Sequence, residues 1–253
     1  MIRIDKRVGL ARLADIYLSD GPVEVKGCSA ATFYWCPNLL DVEGFEREEA
    51  PTAVIDLTKD IDIIWDNIDR TGRKKINQAE KEGIKVSVSD RFDDFWELNL
   101  SFIRRKGYGF RMGVGLPPLE QLRSKGTLLI AEHDGQILSG HVHLEDEVRM
   151  IGLVSASRRL EGDPEMAKLV GKANRLIYWH KIKRGKEKGL RELDFAGIVP
   201  DKDLAANPSL ASLNEFKLSL GAVKVMRYNY RRRYSRVYDT AYRTMRWWRG
   251  RKP

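Results

Sequence analysis

Between residues 84 and 230 the apolar positions switch repeatedly between a period of two and a period near 3.6. The order of those switches is the strongest constraint on the fold. Residues 84–89, Ile-Lys-Val-Ser-Val-Ser, alternate as a strand. Phe92, Phe95, Trp96 and Phe102 then recur at helical spacing and predict a helix over 91–106, with Asp90 and Asp93 as a capping pair at its start. The Gly-rich stretch 107–118 reads as a loop, and 118–124 as a short helix. Three strands follow at 127–133, 136–144 and 147–155, the first two joined by Asp134-Gly135, a two-residue hairpin signal. A long helix over about 165–188 stops at Gly189. A strand at 191–197, a helix at 209–219 and a closing strand at 222–230 complete the series. The order β-α-α-β-β-β-α-β-α-β predicts an α/β (α+β) domain with one mixed sheet flanked by helices, the strands 84–89 and 191–197 both central.

Upstream, residues 1–57 read as strands and turns, with short β-rich runs at 23–27, 32–35 and 52–57. Ile61, Ile64, Trp65 and Ile68 then mark a helix capped by Thr58 or Asp60. Gly72 interrupts it, Ile76 and Ala79 continue it, and Gly83 ends it. Three parts are expected: a strand-rich segment over 1–57, a catalytic domain over 58–230, and a basic aromatic tail over 231–253. The two cysteines, Cys28 and Cys36, are eight residues apart, too few for a disulfide framework or a zinc set, which predicts a reducing, intracellular compartment. Neither a signal peptide nor a membrane-spanning run is evident, so a cytoplasmic protein is expected.

Two ordered blocks carry a family resemblance. The first is Asn174–Gly197 followed by Leu213–Ala222, which holds Trp179 in a long helix, Gly189 at its stop, Asp194 and Gly197 in a strand, then Phe216, Lys217 and Gly221. The second is Ile55–Val86, in which an Asp-Leu pair leads a helix ending in Arg73, Ile76, Ala79 and Gly83. In this combination the chain resembles the Fem-type aminoacyltransferases, a branch of the GNAT acyltransferases whose element order the preceding reading also matches. The resemblance spans about residues 52–230. Full Fem enzymes carry two GNAT-like domains, whereas this chain has room for one complete domain and an abbreviated first half. The resemblance implies transfer of an aminoacyl group from aminoacyl-tRNA to an amine of a cell-wall or other envelope precursor, with no bound cofactor. Two other readings stand beside it. One is an acyl-CoA-dependent N-acyltransferase, for instance on an amino sugar, and the other a non-catalytic nucleic-acid-binding module. The approach to the long helix, Ser157–Arg175, lacks the Gly-rich spacing that cradles CoA pyrophosphate and places Asp163 and Glu165 there, which favours the tRNA donor, although Arg158 and Arg159 could still meet a phosphate.

Amide formation by direct attack needs a neutral amine, a stabilised oxyanion and aligned partners. No Ser/His/Asp or Cys/His arrangement with a nucleophile signature is present, so a covalent intermediate is not indicated. The resemblance gives Lys217 a charge-neutralising role toward an acceptor carboxylate or the developing oxyanion; a solvated surface lysine is the other reading. Asp194, near the C-terminal end of its strand, is a candidate base or acceptor-positioning group, and a loop-bonding aspartate otherwise. Phe216, Arg73, Lys75 and Trp179 are candidate substrate-binding residues. Arg73 and Lys75 alternatively form a solvated helix end, and Trp179 and Tyr178 alternatively sit in the core. His141 and His143 share one strand face, but no third ligand accompanies them, so no metal site is assigned.

The formal net charge of +9 is concentrated at one end. Residues 224–253 hold eleven Lys or Arg and one acid, Asp239, while the rest of the chain is nearly balanced. Residues 235–249 read as a helix with Val237, Ala241, Met245 and Trp248 on one face and Arg236, Arg243, Arg246 and Arg249 around it. A basic amphipathic helix of this kind suits a polyanion: tRNA, or the inner face of a membrane contacted peripherally. Packing of the stripe on the protein's own sheet is the alternative.

Overall fold

The computed structural model describes residues 1–107, 116–161, 164–200 and 208–249; the side chains of 208–210 and 245–249 fall outside that description. The expected loop at 107–118 therefore lies largely outside the described residues. The chain forms two units, one of Met1–Ala50 with Met226–Pro253 and one of Pro51–Val225. The boundaries thus fall at 50/51 and 225/226 rather than at 57/58 and 230/231.

The first unit opens with β1 (Ile2–Val8), β2 (Ala11–Tyr17), β3 (Ala30–Cys36) and β4 (Glu46–Glu49). The run at 23–27 is not a strand. Val25 is buried there, and its amide bonds the Tyr234 hydroxyl at 3.1 Å instead of a neighbouring strand.

The second unit begins with β5 (Thr52–Asp56), α1 (Ile61–Asn67), α2 (Arg70–Lys81) and β6 (Lys85–Ser89). Asp60 stands at the N-cap of α1 without a side-chain bond. The helix break comes at Ile68 and Asp69, not at Gly72. Ile68 is extended, Asp69 caps α2 by accepting the Gly72 amide, and Gly72 sits in the first turn because a Cβ there would meet Ile68 Cγ2 at 2.8 Å. Next come α3 (Phe92–Arg105), α4 (Leu119–Lys125), β7 (Thr127–His133), β8 (Gln136–Glu145) and β9 (Arg149–Ser157). The expected capping pair does not form, as α3 has no side-chain cap bond. Arg91 is the N-cap residue and bonds Asp94, while Asp93 pairs with Arg123 at 2.7 Å. Asp134 and Gly135 both adopt positive φ, 49° and 75°, which matches the tight β7–β8 turn. A 3-10 turn (Arg158–Leu160), α5 (Pro164–Glu187), β10 (Glu192–Gly197), α6 (Pro208–Leu218) and β11 (Val223–Val225) finish the unit.

Its seven strands run β11-β5-β10-β9-β8-β7-β6. β6 is an edge strand, contrary to the central place expected of it. Its alternate residues Lys85 and Ser87 are exposed, and Val88 is 54% exposed, so only one neighbour is needed. One apolar cluster packs α1, α2 and α5 on the sheet through Ile64, Ile76, Leu176, Leu129 and Leu193, and the other packs α3 and α4 through Phe95, Leu122, Ile130 and Val154. The pair β9/β10 is parallel but short, Arg149–Ile151 against Glu192–Asp194. Beyond it β9 continues to Ser157 and β10 to Gly197 without pairing to each other.

The closing strand expected at 222–230 is two strands. β11 pairs with β5, whereas β12 (Tyr228–Arg233) belongs to the first unit and lies between β3 and β4 in the order β1-β2-β3-β12-β4. The handover occurs at Arg227, whose carbonyl accepts the Ala50 amide at 2.8 Å. α7 (Arg236–Arg249) follows β12.

Candidate active site

The sequence Asp194-Phe195-Ala196-Gly197 ends β10 in a distorted turn. Ala196 has φ 60°, the left-handed region that non-glycine residues rarely occupy. Asp194 holds that shape: its Oδ1 accepts the Ala196 amide at 2.7 Å and the Thr52 hydroxyl. Lys217 secures the other side. Its Nζ donates to the carbonyls of Ala196 at 3.1 Å and Gly197 at 2.6 Å. Two residues more than twenty positions apart thus grip one turn, at the end of the strand that parts from β9. Burial pushes the Lys217 ammonium down to about 8, against the pull of the Asp194 carboxylate, which favours the charged form.

The two residues meet at this turn, buried rather than on the wall of an open cleft. Lys217 is 6% exposed and Asp194 3%. The Phe-Lys motif turns its other member outward. Phe216 lines an open cleft of about 700 Å³ between α2, the 3-10 turn, α5 and α6, which Lys75 also lines. Tyr178 links the two regions. Its ring stacks on Phe195 with centroids 4.5 Å apart and meets Phe216 edge-on at 5.7 Å. Gly221, the last residue of the motif, has φ 82°, and a Cβ there would lie 3.1 Å from the Asn67 backbone. Only glycine lets the chain after α6 pass so close to the end of α1.

The remaining candidates lie elsewhere. Arg73 is 2.8 Å from the Asp66 carbonyl and 3.3 Å from its carboxylate, satisfying the last turn of α1 rather than the cleft. Trp179 packs on Trp65, centroids 4.7 Å apart, against the core. His141 and His143 are buried, and burial pushes both down, His143 to about 4, so both are neutral near pH 7. Among the described residues no group of three or more His, Cys, Asp or Glu side chains is placed to hold a metal.

Thr52, Asn174, Lys181 and Arg175 were not singled out by sequence reasoning, whereas Arg158 and Arg159 were. Thr52 supports Asp194. Asn174 accepts from Ser139 and lies 3.1 Å from His141 Nε2. Lys181 is 1% exposed, with its ammonium 5.0 Å from the centre of the Tyr178 ring, and burial pushes it down to about 7. Arg158 bonds the Ile137 carbonyl at 2.7 Å and pairs with Glu161, so this side chain is committed within the fold. Arg159 and Arg175 line the cleft. Lysines and arginines are common on helix surfaces, so nothing in the sequence marks which of them converge.

The family described as Acetyltransferase (GNAT) domain matches residues 68–204, more than half of the chain. The chain belongs to the GNAT family. Its activity class is acyl transfer. Solved structures share the fold at low identity. FemX is 15% identical with a TM-score of 0.63, covering 90% of this chain and 83% of that one. L-PGS from Bacillus licheniformis is 13% identical with a TM-score of 0.56, covering 94% and 82%. The C-terminal domain of a protein described as a lysylphosphatidylglycerol synthetase from Agrobacterium fabrum is 12% identical with a TM-score of 0.58, covering 96% and 83%. No curated protein sequence matches the chain.

Proposed function

We propose that this GNAT protein moves an aminoacyl group from aminoacyl-tRNA to an amine of an envelope precursor. The observation that carries the reading is the meeting of the Fem-type motif residues: Lys217 of the Phe-Lys motif bonds the turn that Asp194 shapes. In the proposed reaction a neutral amine attacks the ester carbonyl of the donor. The carbon–nitrogen bond forms, the bond to the ribose oxygen breaks, and that oxygen receives the amine's proton. Lys217 has three N–H donors and gives two to carbonyls. Its third, cationic below about pH 8, is the donor assigned to the developing oxyanion. Asp194 is assigned to positioning the turn and the incoming amine.

An acyl-CoA donor is the second reading, favoured by the description of the matching family as acetyltransferases. Against it stand Glu161 beside the start of α5 and the commitment of Arg158 to Ile137 and Glu161. A transfer assay decides. The protein is incubated with envelope precursors as acceptors and either charged bulk tRNA or acetyl-CoA, and products are weighed by mass spectrometry. Product from charged tRNA alone supports the proposal, and product from acetyl-CoA alone overturns the donor assignment.

We also propose that α7 holds the protein at an anionic membrane surface, on the cytoplasmic side. Val237 is 82% exposed and Ala241 is exposed too, while Tyr242 turns to the sheet and accepts a bond from Arg231 at 2.9 Å. The described part of the apolar stripe is therefore free of the protein's own sheet. No helix among the described residues is long and apolar enough to cross a membrane.

A further inference from the structure

The cleft beside Phe216 carries more positive charge than its own acids balance. Five cations line it, Lys75, Arg159, Lys168, Lys172 and Arg175, against the two acids Asp69 and Glu215. Lys168 is paired with Glu165 at 2.6 Å, and Lys172 with Glu82 at 2.5 Å. The Asp69 carboxylate caps α2 through the Gly72 amide. Among the described residues three cations remain without an ion pair, one each from α2, the 3-10 turn and α5, with Asp69 and Glu215 as the acids of the same lining. Burial is the largest influence on two of them: beyond it, the charges of Arg175 and Arg159 disfavour the Lys75 ammonium while Asp69 favours it, and at Arg175 the pull of Asp69 comes ahead of the push of Arg159. Arg175 is held in place nonetheless. Its guanidinium lies 4.9 Å from the centre of the Phe216 ring and reaches the Gly171 carbonyl at 3.3 Å. Its Nε is buried without a hydrogen-bond partner among the described residues. A buried, immobilised donor that faces two like charges is costly in an empty cleft and favourable around an anion.

We propose that Lys75, Arg159 and Arg175 form a phosphate-binding site for the 3′-terminal nucleotides of the donor RNA. The anion site stands on the geometry of the three cations. The identity of its carrier rests on the aminoacyl-tRNA reading. Arg supplies the planar fork for phosphate oxygens and Lys the mobile point charge. A cleft of about 700 Å³ holds a nucleotide-sized group. Phe216, the partner of Lys217 in sequence, supports the guanidinium on its cleft side and so joins donor binding to the turn at Ala196–Gly197.

The test is a titration of the full chain with three probes at several salt concentrations: an RNA stem ending in CCA, coenzyme A, and inorganic pyrophosphate. Expected is binding of the RNA stem that weakens about tenfold or more in Arg175→Met and in Lys75→Met. The dependence of log affinity on log salt should become shallower by about one for each cation removed. Lys168→Met, which removes a lysine already paired, should stay within about twofold. Circular dichroism and the unfolding temperature of each variant, read beside the titration, separate weaker binding from lost folding. If coenzyme A or pyrophosphate binds and loses affinity in the same variants while the RNA stem does not bind, the anion site stands and the tRNA donor falls. Absence of binding by all three probes, or RNA binding unchanged in Arg175→Met and Lys75→Met, overturns the site.

Discussion

Lys181 offers a quantitative test of the buried interior behind β8. It sits on α5 at 1% exposure; among the described residues no carboxylate is bonded to it, and the Tyr178 ring lies within cation–π distance. Burial lowers its proton affinity from 10.5 to about 7. At about 1.4 kcal/mol per tenfold change, that corresponds to roughly 5 kcal/mol against the folded state when the lysine is charged in both states. The direction follows from linkage. The folded value is depressed, so between about pH 7 and 10.5 the unfolded chain binds the extra proton, and stability rises with pH across that window. Below about pH 7 both states are protonated and the full cost remains. Met has a similar length and no charge. Lys181→Met should therefore raise unfolding free energy by a few kcal/mol at pH 6.5, with the gain shrinking toward zero by pH 10. The lost cation–π contact, worth about 2 kcal/mol at most, reduces but does not reverse the gain. Urea unfolding of both proteins at four pH values reads the difference directly. A difference that is independent of pH, or a destabilised variant at pH 6.5, would refute the burial argument.

Two further outcomes are expected. Gly221→Ala should lose roughly 2–4 kcal/mol, from a positive φ of 82° and a Cβ 3.1 Å from Asn67, as measured by denaturant midpoint; an unchanged midpoint would show that the close approach relaxes freely. Anionic liposomes should retain the intact protein at low salt and release it as salt rises, because surface arginines contribute about 1 kcal/mol each within a Debye length. Val237→Glu should weaken retention, and equal retention of a chain ending at Tyr234 would remove α7 as the anchor.

The elements that pack on their own periodicity were legible. Helix α5 keeps Val170, Ala173, Leu176 and Ile177 buried on one face, and β7–β9 are joined by a turn whose residues demand it. Elements decided by tertiary competition were not. Residues 222–230 are uniformly strand-like, yet the chain changes sheets at Arg227 because Ala50 supplies a partner there. The break at Ile68–Asp69 was misplaced to Gly72, since a glycine required by close packing looks in sequence like one required to end a helix. Asp194 and Lys217 stand out in the sequence through their motifs, and the structure brings them to one turn, but their burial was not legible. The convergence of Lys75, Arg159 and Arg175 depends on the α2–α5 approach, which periodicity does not encode.

In the proposed reaction the Lys217 ammonium, fixed on the carbonyls of Ala196 and Gly197, stabilises the oxyanion of acyl transfer. The most direct test of this role is the pH profile of kcat/KM in single-donor assays of the unaltered protein, Lys217→Arg and Lys217→Met, with circular dichroism confirming the fold of each. The unaltered protein should lose rate above about pH 8, where burial has placed this lysine's titration. Lys217→Arg, whose charge does not titrate in that range, should lack the alkaline fall, and Lys217→Met should lose about 10²–10³ in kcat across the whole profile. A folded Lys217→Met within threefold of the unaltered rate, or an alkaline fall unmoved in Lys217→Arg, would contradict the account.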